Sequence, residues 1–325
     1  MSEKLYDVIG LGDPFQDLVI ELDKIPPSNT NMRMKEYWFQ GGGNVPTAIA
    51  MAGRLGLKAA IYGVAGDDIL AQNNKADFAY NNVDTSHLIV DPGKRSHFCL
   101  CIAERSVNGK NFITKLGDFE IIKKEDLDVE FLQSTKVLHI GILNEAVEEA
   151  TKIVHEAGGV VCIDANYYMP GFYNYYHCVD IFIASEYYYK GICDDIGFEM
   201  DDYEGVIRYV QSKGPKTVIF TFGEDGCKGM DGDEFIDLPA FKVNAVDSTG
   251  AGDVFHGAYI YGYLQGWDAK TICRFASGAS AIKCTRLGSR ASMPSLETLT
   301  KFLETGEIDY TEIDQRVEKY RRGFK

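Results

Sequence analysis

From residue 136 onward, short apolar runs alternate with stretches of helical periodicity, and few folds accept that alternation. "KVLHIGIL", "GVVCIDAN", "VDIFIAS" and "TVIFTFG" are brief and almost wholly apolar. Such runs suit strands covered on both faces, the arrangement that parallel βαβ units provide. Between the first two, Asn144 is placed to cap a helix whose apolar face is Val147, Ala150, Ile153, Val154 and Ala157, and Gly158-Gly159 ends it. "VIRYVQSKG" reads as a further helix closing at Gly214. The earlier chain differs. "DLVIELDKI" alternates Leu18, Ile20 and Leu22 against Val19, Glu21 and Asp23, "RMKEYWFQ" and "SHFCLCIAER" also read as extended, and Asn108-Gly109 signals a hairpin into "NFITKL". These segments predict a small antiparallel sheet, suited to cover a cleft as a lid or to pair with a second copy as a homodimer.

With 325 residues and 45% hydrophobic content, the chain can bury the core of one large domain. Its formal charge of -15 opposes nucleic acid or an anionic membrane as partner. It leaves nucleotide binding open, because backbone N–H groups hold phosphates in acidic proteins too. No apolar run reaches the roughly 18 residues of a membrane span. The eight cysteines form no CxxC pair, and Cys99, Cys101 and Cys162 lie inside apolar runs. They read as reduced, buried thiols; Cys99 and Cys101, two apart on a strand, share one face of the core. "MSEKLYDVIGLGDPF" lacks the apolar segment of a secretion signal, so the expected location is cytoplasmic. The basic tail "DQRVEKYRRGFK" reads as a solvated helix end.

"DSTGAGD", residues 247 to 253, carries the chemistry. Val254, Phe255, Ala258, Tyr261 and Leu264 follow at the spacing of a buried helical stripe, so Gly250, Ala251 and Gly252 fall in or just before the first turn. N–H groups there have no intrahelical acceptor, and the helix dipole favours an anion. Small residues let that anion approach the backbone. A phosphoryl group in transfer spreads charge over three oxygens and suits such donors. Asp253 beside it could take a proton from an attacking hydroxyl. The blander alternative is that Gly-Ala-Gly serves close packing and Asp253 complements the dipole.

"DSTGAGDVFHGAYIYGYLQG" closely resembles the C-terminal signature of the PfkB (ribokinase-like) carbohydrate kinases, and "GGGNVPTAIAMAGRLG" at 41 to 56 resembles their second signature. "DVIGLGDPFQDLVIELDKIP", "GVAGDD", "CIDAN", "TFGEDG" and "FASGASAIKCTRLGSRASMP" extend the likeness in family order over nearly the whole chain. The resemblance implies a three-layer α/β/α fold with a mainly parallel central sheet and a small β-sheet lid. It would be a single domain over 1–325, with lid elements near 14–40 and 95–116. It implies an ATP-dependent sugar kinase of fructokinase or ribokinase type, with Asp253 as base and Gly250, Ala251 and Gly252 as anion hole. Asp17, Gly41, Gly42 and Asn44 would bind the sugar. Thr221, Gly223, Gly226, Ser277 and Cys284 would meet ATP. Asp247, Thr249, Gly288 and Ser292 match loops that hold a monovalent cation, so Mg²⁺ and K⁺ join ATP as expected cofactors.

The chain departs from the family pattern at four places. Pro46 stands where an Asn is frequent. "SEYY" puts Ser185 and Tyr188 in place of the Asn and Glu of Asn-x-x-Glu, a motif linked to the Mg²⁺-phosphate network. Tyr168 replaces a frequent Arg, which weakens an acidic substrate. Phe15 replaces the Asn of ribose-specific members. Alternatives are a nucleoside kinase of the same family and a non-catalytic sugar-sensing protein, the intact "GAGD" opposing the latter. "GLGDPF" at 10 to 15 begins like a dinucleotide fingerprint, but Pro14 and Phe15 break it and a strand follows where a helix is required. His97, on an expected lid strand, could reach the substrate; His256 reads as packed. The many tyrosines of 167 to 189 read as filling half-buried surface.

Overall fold

The computed structural model of the chain describes residues 4–107 and 109–324. β1 (Tyr6–Leu11) leads into β2 (Phe15–Leu22) and β3 (Glu36–Gly42), then α1 (Asn44–Arg54), β4 (Ala59–Tyr62), β5 (Val64–Gly66), α2 (Ile69–Tyr80), β6 (Val83–Asp84) and β7 (Ile89–Asp91). β8 (His97–Glu104) and β9 (Gly109–Lys115) follow, then α3 (Val129–Gln133), β10 (Thr135–Ile140), α4 (Glu145–Glu156), β11 (Val160–Ala165) and β12 (Ile181–Ser185). The C-terminal half adds α5 (Glu186–Ile196), α6 (Tyr203–Gln211), β13 (Thr217–Thr221), β14 (Cys227–Asp231) and β15 (Glu234–Leu238). It ends with α7 (Ala251–Leu264), α8 (Ala269–Lys283), α9 (Leu296–Thr305) and α10 (Tyr310–Arg322).

The large sheet runs β15-β14-β13-β12-β11-β10-β1-β4-β6 and is parallel except for the β13-β14-β15 edge. Its two faces bury separate cores. One packs against α1, α7, α8 and α9, the other against α3 to α6, giving three α/β/α layers. The local signals act as expected at α4, where the Asn144 side chain accepts from Val147 N–H at 2.9 Å, a cap worth about 1 kcal/mol. β1 is flanked by β10 on one side and β4 on the other, so strand order reverses beside it. In open α/β sheets ligands bind outside the strands' carboxyl ends at such a reversal. Here that means the turns after Leu11 and Ile140.

A second, four-stranded sheet runs β3-β2-β8-β9. The expectation that it is antiparallel holds for β2–β3 and β8–β9 but fails at its centre, where β2 and β8 pair in parallel. Hairpin geometry governs only strands joined by a short turn, and a long excursion separates β2 from β8. Asn108, half of the expected hairpin signal, lies outside the described residues.

Candidate active site

α7 begins at the "DSTGAGD" segment. Its cap, Gly250, sits at φ 75°, and a Cβ there would crowd Ser289, so turn geometry and packing both require glycine. Gly252 differs: nothing lies within 4 Å of where its Cβ would stand. Neither backbone angle nor packing requires a glycine at this position. The N–H groups of Gly250, Gly252 and Asp253 donate to no acceptor among the described residues, whereas Ala251 N–H closes a turn on Ser248 O at 3.2 Å. Of the three expected donors, Ala251 N–H is thus engaged within the turn, while Gly250 and Gly252, with the neighbouring Asp253, keep theirs free among the described residues.

Asp253 is half-buried in the first helical turn. Burial raises its carboxyl pKa well above the usual carboxylate range. The charges of Asp164 and Asp17 add to the rise, against the opposing charges of Arg290 and Lys283. Such a carboxylate is a stronger base than a surface aspartate. Asp164, at the end of β11, stands 3.2 Å from His256 Nε2 and accepts from the Asn44 side chain. His256 is packed, as its helical position implies.

Asp17 lies on β2 with its carboxyl against Gly42, where any Cβ would overlap it. Burial, then the Cys99 thiol, pushes this carboxyl up to about 7, against the pull of Arg290 and hydrogen bonds from Cys101 and Gln40. Gly41 rests on the Arg290 guanidinium and donates its N–H to Asp77. Arg290 in turn donates to Gly42 O and to Thr47 Oγ1, each at 3.2 Å. The two glycines thus permit close approach on both sides: a carboxylate at one, a guanidinium at the other.

At the strand-order reversal a cavity of about 190 Å³ opens between Gly12, Phe15, Asn44, His97, Gly141 and Asn144. It is smaller than the roughly 300–1,000 Å³ of drug-sized sites and suits a small metabolite. His97 stacks on Phe15 with ring centroids 4.4 Å apart, and its Nδ1 accepts from Gly117 N–H at 2.6 Å.

Thr221 ends β13, and Gly223 and Gly226 form the turn that follows it. Ser277 on α8 meets Cys227 next to that turn. Cys284 caps α8, and its carbonyl accepts from Val246 and Asp247 N–H at 2.7 and 3.1 Å. One wall therefore runs from the β13 turn along α8 to the "DSTGAGD" loop. In "SEYY", Ser185 ends β12, Tyr188 is buried with its hydroxyl 2.8 Å from that of Tyr176, and Glu186 is exposed on the first turn of α5. The Tyr188 position therefore offers no metal ligand.

Asp247 Oδ1 accepts from Thr249 N–H at 2.9 Å and Thr249 O–H at 2.7 Å, and its Oδ2 accepts from Gly288 N–H at 2.8 Å. Ser292 O–H donates to Lys283 O at 2.6 Å. Burial alone would raise the Asp247 carboxyl. The Lys283 charge and these hydrogen bonds reverse that and hold it at about 2.

Sequence reasoning missed Asp164, Arg290, Lys110 and Lys283. Lys283 carried a legible signal, since it continues the buried α8 stripe of Ala276 and Ala279 at helical spacing. Lys110 carried none: β9 brings it from the second sheet to Ser248 and to within 3.7 Å of Asp247 Oδ1.

N–H groups free among the described residues, beside a half-buried carboxylate at a helix start, form a site with the chemistry to hold an anion. The model of the pfkB family of carbohydrate kinases matches residues 7–296. The chain belongs to this family of kinases. It is 26% identical to the deoxyribokinase of Salmonella typhi over 309 residues, covering 93% of this chain and all of that one. It is 25% identical to a probable fructokinase-2 of Arabidopsis thaliana, covering 91% and 96% of the two chains. The fold matches that of a putative ribokinase II from E. coli, solved with ATP and Mg²⁺, at TM-score 0.79 and 22% identity over 92% of this chain and 99% of that one. Among the described residues no helix is long and apolar enough to cross a membrane.

Proposed function

We propose that the protein transfers the γ-phosphoryl group of ATP to a hydroxyl of a small sugar. The observation that carries this reading is Gly252: a glycine free of backbone and packing demands, between unpaired N–H groups and a basic carboxylate. A side chain is absent there for the sake of what enters the cleft. Asp253 accepts the proton of the attacking hydroxyl, and the N–H groups of Gly250, Gly252 and Asp253 stabilise the charge in transit. The sugar lies along Asp17, Gly42 and Asn44, reaching the cavity walled by Phe15 and His97. The nucleotide follows the wall of Thr221, Gly226, Ser277 and Cys284. Mg²⁺ supplies charge neutralisation on the phosphates when bound. Because Tyr188 offers it no ligand, it would arrive with the nucleotide and keep much of its water.

The test is coupled ADP release with ATP-Mg²⁺ against fructose, ribose, 2-deoxyribose, tagatose, keto-deoxy-gluconate, adenosine and inosine. The expected outcome is turnover on a free sugar. Turnover on nucleosides alone would overturn the reading in favour of a nucleoside kinase, and silence with ATP still bound would favour a non-catalytic role.

Asp17 adds a pH signature. Its folded pKa of about 7 lies above the ordinary 3.8. Between those values the folded chain holds a proton that the unfolded chain releases, so this group's contribution to stability falls as pH rises through that window. Sugar hydroxyls donate to the ionised form. The KM for sugar should therefore rise by about tenfold for each pH unit below about 7, while the KM for ATP stays level. A sugar KM that is flat across this range would remove Asp17 from sugar binding.

A further inference from the structure

Lys283 is completely buried (0% exposed) at the last turn of α8, on a buried stripe that is otherwise apolar. A buried ammonium is costly unless it is paired and hydrogen-bonded. Its Nζ donates to the carbonyl oxygen of Asp247 at 2.7 Å. That places a fixed positive charge directly behind the loop that leads into the anion hole.

This loop and the 288–292 segment hold the oxygens that the family resemblance assigns to a monovalent cation, and the Asp247 end does not fit one here. Both carboxylate oxygens of Asp247 are taken by Thr249 and Gly288 donors, and its carbonyl by Lys283. Ser292 Oγ gives its proton to Lys283 O and keeps its own lone pairs, so the misfit lies at Asp247. A cation entering there would meet a resident ammonium and an Asp247 carboxylate and carbonyl already accepting hydrogen bonds. The field of Lys283 extends further than Asp247. Its charge opposes the rise that burial imposes on the Asp253 carboxyl pKa.

We infer that Lys283 is a built-in replacement for the monovalent cation: a positioning residue whose ammonium holds the Asp247–Thr249 loop and polarises the anion hole, making the enzyme indifferent to K⁺. Its hydrogen bond goes to the Asp247 carbonyl, so it acts through the loop. The inference rests on the phosphoryl-transfer reading for its catalytic part, and on the loop geometry alone for its binding part.

The test compares wild type, Lys283→Ala and Lys283→Met in buffers whose bulk monovalent cation is choline, Na⁺, K⁺ or methylammonium. Wild-type turnover should be the same in all four. Lys283→Ala should lose about 10- to 100-fold in kcat, the usual effect of removing a group that orients a charged site, with sugar KM unchanged. K⁺ or methylammonium, entering the space vacated, should restore part of that loss. Lys283→Met, which fills the space without charge, should show no restoration. Thermal melting without sugar gives a second reading: K⁺ and methylammonium should stabilise Lys283→Ala selectively, and wild type should show no cation preference. The melting arm works even if none of the tested sugars is phosphorylated, so failure of the sugar reading is told apart from failure of this one. Strong K⁺ stimulation of wild type would overturn the inference. So would full turnover of Lys283→Ala, or a loss that no cation repairs in either measurement.

Discussion

Asp253→Asn will lower turnover by about 10²- to 10⁴-fold, the range for a lost general base, and leave ATP affinity near that of wild type. The substitution keeps the shape of the side chain and the backbone N–H proposed to face the anion. It removes the proton acceptor alone. Because burial and the charges of Asp164 and Asp17 raise the wild-type carboxyl pKa, its basicity is matched to a hydroxyl better than a surface aspartate's would be. The kcat of wild type should fall at low pH as this group takes up its proton, and the variant should lack that limb. Steady-state kinetics with ATP titrated by fluorescence or calorimetry decide it. Turnover close to wild type would assign Asp253 to the helix dipole and nothing more.

Gly252→Ala will separate an anion hole from a packing device, because the two roles predict opposite signs for stability. The added Cβ meets nothing within 4 Å, and alanine is the better helix former by up to about 1 kcal/mol. The variant should fold normally and melt at the same temperature as wild type or slightly above it. On the proposed mechanism its methyl group nevertheless stands where the transferring phosphoryl group approaches the Gly250, Gly252 and Asp253 N–H groups. Turnover should drop by about 10²- to 10³-fold, the effect of losing one such donor. Gly250→Ala is the control: positive φ and Ser289 make it destabilising whatever the chemistry. A Gly252→Ala protein that is both stable and fully active would show that no anion approaches this turn.

Much of the site was legible because its parts are local. A helix start with small residues, a cap three residues before a buried stripe and a Gly-Gly pair at a strand end are each written within a few positions. Chain order alone placed Asp253 beside Gly252. Elements that failed were non-local. The parallel pairing of β2 with β8 joins segments separated by an excursion through the large sheet, and no hairpin signal speaks to it. Arg290 beneath Gly41, Lys110 against Ser248 and Asp164 beside His256 are contacts across long separations.

The sequence by itself determined the alternating α/β architecture and the helix start proposed to bind the anion, because hydrophobic period, capping and glycine placement act over a few residues, and its motifs carried the resemblance to the family. The tertiary structure alone decided which charges surround that turn. Strand order brought β1 and β10 together to open the cavity, and the packing of α8 against the "DSTGAGD" loop carried Lys283 to the Asp247 carbonyl. Electrostatic interactions depend on distance and burial, and neither exists until the layers close.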